Sequence, residues 1–268
     1  MKISLDGVPL DKHSEIKDFI SSIVNMYNEK SLHTEDIEII IPKDYCEFRK
    51  NHGYPCAGNG TSHGKAIYEK GIVILNNVKF CNGIDRVSNS QSIILFHELT
   101  HMLIRQKTGS YYTKFEEQGL ELYFVIWDEY YTVRETTRHF GVFGEHEVNE
   151  YFAYLINSLT RLNENLCLID NLEIDNKLKE DTMQLYIGEL GYYLGTCLGI
   201  IDGSYFYNKE DFNGYKKDFD QNLVNINYND VWMKLRSIQD IPSFDDINEI
   251  KLLFQNMITL TLQGQLEE

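Results

Sequence analysis

The segment Ile93-Ile94-Leu95-Phe96-His97-Glu98-Leu99-Thr100-His101-Met102-Leu103-Ile104 constrains this chain more than any other. It reads as a helix, capped by Ser90 or Ser92, that runs to about Lys107 and stops before Gly109. On a helix His97 and His101 share one face, a turn apart, so both imidazoles can reach a single cation. Glu98 is offset from that position. It can instead hold a water on the ion and accept its proton. The apolar surroundings leave the imidazoles half-buried, where a ring without a ligand would need another polar partner. The plainer alternative is a helix with two hydrogen-bonded histidines and a surface glutamate.

A catalytic zinc takes three protein ligands and leaves a fourth position for water. A carboxylate from a following helix is the natural third ligand, and Glu129 is the candidate. Helical spacing puts it on a face with Leu122, Val125, Ile126, Thr132 and Val133, predicted to be buried. Asp128 falls on a more polar side with Glu121, Tyr131 and Glu135. A carboxylate on a buried face needs a cation or hydrogen bonds. Glu150 and Asp128 are the rival ligands, and an ion pair from Glu129 to Arg105 or Arg134 is the structural alternative.

An HExxH helix followed by a glutamate on a later helix resembles the Glu-zincin metallopeptidases. The short gap to Glu129, with Thr132 three positions on, is similar to the ImmA/IrrE-like peptidases of phages and mobile elements, over roughly residues 65 to 140. Ile104 and Lys107 stand where the metzincin extension would need Gly and His. Val133 stands where thermolysin-like enzymes carry an aspartate, so a zinc histidine must find its usual partner elsewhere. The resemblance implies zinc held by His97, His101 and Glu129, and hydrolysis of a protein or peptide substrate with Glu98 as general base. A regulatory or binding protein with a structural metal is the alternative; the intact Glu98 argues against it.

The remaining sequence sets the frame. Strands are expected at 37–41 and 71–75, a first helix at 13–29 and a loop at 51–64. Helices are expected at 115–138, 145–163 and 179–201, with two or three more beyond. Strands before residue 90 and helices after it make an α+β fold, predominantly helical and zincin-like. The catalytic core is expected over 1–140 and a helical C-terminal subdomain over 141–268. Gly191, Gly195 and Gly199 form a smooth stripe that suits close helix packing. The net charge of −16, without a basic cluster, argues against nucleic-acid partners. The 185–201 stretch is short for a membrane span and carries Glu189. The amino-terminal residues lack the apolar run of a signal peptide. Five cysteines without a C-x-x-C pair point to reduced thiols and a cytoplasmic protein. His13, His33, His52 and His63 read as solvated. His139, His146, Tyr130 and Tyr151 are candidates to stabilise a transition state.

Overall fold

Isoleucines build the N-terminal sheet. Strand β2 (Glu38–Ile40) continues a buried run that begins at Ile37 and ends at Ile41, before Pro42. It pairs in parallel with β1 (Lys2–Ser4) on one side and β4 (Ile72–Leu75) on the other. β3 (Gly64–Ile67) closes the order β1-β2-β4-β3 as an antiparallel edge strand, with Gly64 opposite Leu75 and Ile67 opposite Ile72. The computed structural model describes residues 1–27, 32–54, 63–85, 90–109, 111–140, 145–170, 176–223 and 226–264. They fall into two compact units, Met1–Gly109 and Ser110–Glu268.

In the first unit, helix α1 (His13–Asn25) buries Ile16, Ile20, Ile23 and Val24, one stripe at helical spacing. Tyr27 follows it, and its hydroxyl donates to the Phe96 carbonyl at 2.7 Å. That carbonyl belongs to α3 (Ser90–Thr108), the helix of the histidine motif. Near the start of α3 the Gln91 amide donates to Gly83 O at 3.0 Å and accepts from the Asp85 N–H at 2.8 Å. The opposite face of the sheet is covered by α2 (Tyr45–Asn51), whose first turn is capped by the Asp44 side chain accepting from Glu47 N. Tyr45 packs there on Ile67 and Ile74, with Phe48 and Tyr54 at the margin.

The second unit is all helical among the described residues: α4 (Tyr111–Glu117), α5 (Glu121–Phe140), α6 (Glu145–Asp170), α7 (Asn176–Tyr207), α8 (Lys209–Asn222), α9 (Asn229–Ser237) and α10 (Phe244–Gly264). The single helix expected at 115–138 is two, because the chain turns at Gly119 with φ +63°, which favours glycine. The glycine stripe of α7 does pack tightly, against α5. A Cβ on Gly195 would lie 2.5 Å from the Ile126 carbonyl oxygen, and one on Gly199 2.7 Å from that of Tyr130. A buried network ties α5, α7 and α9: the Tyr130 hydroxyl and the Trp232 indole both donate to Asp202, at 2.6 and 2.9 Å.

The chain is thus α+β and mostly helical with a small N-terminal sheet, as expected. β1, α2 and β3 were not foreseen, and residues 55–62 of the expected loop lie outside the described residues. One expectation is corrected. Cys46 is disulfide-bonded, whereas Cys81 and Cys197 are free thiols. The cysteines therefore give no argument for a reducing compartment. Among the described residues, no helix is long and apolar enough to cross a membrane.

Candidate metal centre

Helix α3 is buried along most of its length, and the motif lies at its middle. His101 and Glu98 are 4% and 8% exposed, and His97 is half-buried. The two Nε2 atoms stand 3.1 Å apart, with the rings nearly perpendicular at 86°. Two nitrogens bound at 2.0–2.1 Å to one tetrahedral ion would be about 3.3 Å apart. The pair is therefore already spaced as two ligands of one cation. Burial holds the His97 imidazole neutral well below the ordinary histidine range, and the charges of His101 and Lys65 add to this. A neutral ring keeps the lone pair that a metal needs. The donor set fits a divalent ion such as zinc.

Glu98 is placed by the edge strand. A Cβ on Gly64 would sit 2.8 Å from Glu98 Cγ, so only glycine lets β3 come this close to α3. The Ala66 backbone N–H, also in β3, donates to the Glu98 carboxylate. Burial raises the pKa of this carboxyl above the ordinary glutamate value. His101, Lys65, the Ala66 N–H and Arg49 oppose that rise without cancelling it. A basic carboxylate held by one backbone donor suits proton transfer.

With Glu129 of α5, the two histidines make a group of side chains that could hold a metal ion. No protein-family model matches the chain, and no curated protein or solved structure matches it either.

The route by which the sequence singled out Glu129 needs correction. Asp128 is buried at 3% exposure, whereas Glu129 is only half-buried. Helix α5 is packed on more than one side: Ile126 and Tyr130 meet α7, while Phe124 and Trp127 join an aromatic cluster with Phe115. A single apolar stripe does not describe such a helix. Among the described residues the metal-capable group nonetheless contains Glu129 and not Asp128. Arg134, one of the two arginines considered as partners for Glu129, contacts Glu135 at 3.4 Å and lies over the Tyr131 ring.

The side chains of His146, Glu150 and Tyr151 lie outside the described residues. The Tyr130 hydroxyl is engaged by Asp202, and His139 Nδ1 meets the Glu135 carbonyl at 3.2 Å. His13 and His52, expected in solvent, bond backbone carbonyls of Val8 and Phe48 at 3.0 and 2.8 Å. Two side chains near the motif were missed. Lys65 acts electrostatically on both His97 and Glu98, and the Tyr68 ring meets His101 edge-on at 6.3 Å. Four residues, Gly-Lys-Ala-Ile, gave too short a signal to reveal the strand that carries Lys65.

Proposed function

We propose that this chain is a zinc-dependent metallopeptidase of the Glu-zincin type, with His97, His101 and Glu129 as metal ligands and Glu98 as general base. The spacing of the two Nε2 atoms carries the reading, since it matches a shared cation beside a buried carboxylate. When bound, zinc would acidify a water and polarise the scissile carbonyl. Glu98 then does the proton work. Its carboxylate takes a proton from the attacking water and passes it to the leaving amine. The Ala66 N–H fixes the orientation of that carboxylate through both transfers. A purely structural metal would leave Glu98 without a task in a buried position where its charge is costly.

The resemblance to the Glu-zincins implies a protein or peptide as the substrate. Zinc-loaded protein should be incubated with a defined peptide mixture, and products read by mass spectrometry. New amino termini that vanish with a chelator and in Glu98→Gln are the expected result. Loaded protein that releases no product, or product that persists in Glu98→Gln, would overturn the reading.

A further inference from the structure

Lys65 sits in β3 opposite Ile74, on the face of the sheet that α2 covers. Its neighbours Gly64 and Ala66 turn the other way, onto Glu98. Because β3 is the edge of the sheet, a long flexible stem can carry the ammonium past that edge. The ammonium lies 5.6 Å from the centre of the Tyr54 ring and 6.0 Å from that of Tyr68. Tyr68 in turn meets His101. Lys65 thus stands at the margin of the motif, between two aromatic faces.

Lys209 and Lys251 also lie over tyrosine rings, but of these three lysines Lys65 alone acts on His97 and Glu98. There are 41 acidic residues against 25 basic ones, so carboxylates are plentiful. Lys2, Lys216 and Lys234 each have one within 2.7 Å. Among the described residues Lys65 has no ion pair or hydrogen bond; it meets the two rings, and its charge acts on Glu98 and His97 from a distance. A ring face attracts an ammonium but gives it no acceptor. The half-buried ammonium therefore keeps donors that a substrate oxygen anion can take from water. Tyr54 and Tyr68 limit where that anion can sit.

We propose that Lys65 is a substrate-binding residue that takes a carboxylate of the peptide, so that acidic peptides are preferred. This rests on the peptidase reading for its substrate, but the carboxylate site stands on the Lys65 geometry alone. The carboxylate has two possible sources, an acidic side chain and a free C-terminus. A flexible point charge suits either one, unlike the planar fork of an arginine.

The test uses the full chain with its lysines reductively methylated with carbon-13, which keeps their charge. The Lys65 signal is identified by its absence in Lys65→Met. Three pentapeptides serve as probes: one with a central Asp and an amidated end, an all-alanine peptide with a free end, and an all-alanine amidated control. At least one carboxylate probe should shift the Lys65 signal and bind about five- to tenfold more tightly than the control. Which of the two does so identifies the source. Lys65→Met should abolish the difference, and Lys65→Glu should reverse it, binding the control more tightly than the carboxylate probe. Equal binding of all three probes, or a difference that survives Lys65→Met, overturns the proposal. If the Lys65-dependent preference is present but the zinc-loaded wild type hydrolyses no peptide, the carboxylate site stands and the peptidase reading falls.

Discussion

The backbone N–H of Ala66 donates to the carboxylate of Glu98, joining the edge strand of the sheet to the middle of the motif helix. Gly64 makes that contact possible, because any side chain there would strike Glu98. The carboxylate is thereby aimed by backbone rather than by a mobile side chain. Glu98→Gln keeps the shape and can still accept from Ala66, but its amide cannot take a proton. It should bind zinc with unchanged stoichiometry and lose about 10²–10⁴-fold in peptide hydrolysis. Wild-type turnover by this variant would show that Glu98 is not the base.

The spacing of His97 and His101 predicts metal uptake directly. Purified without a histidine tag, the protein should take up one zinc per chain. His97→Ala and His101→Ala should each weaken that binding by orders of magnitude, since a metal site rarely survives on the remaining ligands. Metal analysis after dialysis reads the outcome. Less than about a tenth of an equivalent after adding zinc would dispose of the site.

The glycine stripe of α7 gives a prediction about stability alone. In Gly195→Ala the new methyl meets the Ile126 carbonyl oxygen at 2.5 Å, and a backbone atom cannot swing aside. The two helices must separate, at a cost of about 1–3 kcal/mol. Gly214 in α8 is the control, because nothing lies within 4 Å of its would-be Cβ. Gly214→Ala should stabilise by about 0.5–1 kcal/mol, through helix propensity. Thermal melts of the two variants should therefore move in opposite directions.

What the sequence revealed depended on the length of the signal. The helix of His97 and His101 was legible because apolar residues surround a short, chemically explicit motif. The long helices α6 and α7 were legible for the same reason of length, and the glycine stripe announced its close packing. Three-residue β1 and four-residue β3 offered too little periodicity, so Lys65 and the Ala66 contact were hidden with them. The error over Asp128 and Glu129 has another cause. Helical spacing says which residues share a face; it does not say how many faces of a helix are covered. On α5 more than one is.

Helix α10 begins with a reciprocal cap that should make stability depend on pH. Ser243 donates its N–H and its hydroxyl to Asp246 Oδ2 at 2.8 and 2.7 Å, and Lys234 donates to Oδ1 at 2.7 Å. Burial raises the pKa of the Asp246 carboxyl, but the bonds from Lys234 and Ser243 outweigh it and hold the value below the ordinary range. A depressed folded pKa means the contribution is full above the unfolded value of about 3.9 and fades as pH falls through the folded one. Asp246→Asn should cost about 1 kcal/mol at pH 7. Its deficit against wild type should shrink as pH drops below about 4. Urea melts across that range test this, and a deficit independent of pH would refute it.

The third ligand is the most exposed part of the proposal, and three variants decide it. Glu129→Ala should weaken zinc binding severely, because Glu129 belongs with His97 and His101 in the metal-capable group. Asp128→Ala should weaken it only mildly. One residue along α5 turns a side chain by about 100°, so the two acids cannot face one point equally. Asp128 is the more deeply buried of the pair, so its loss should appear in stability more than in metal affinity. Affinity and melting temperature must therefore be measured together for Glu129→Ala, Asp128→Ala and Glu150→Ala. Glu129→Ala should keep its melting temperature and lose the metal, whereas Asp128→Ala should melt lower and keep most of its metal affinity. Loss of zinc in Glu150→Ala alone would assign the ligand to α6. Retention in all three would remove the carboxylate ligand and leave a site of histidines only.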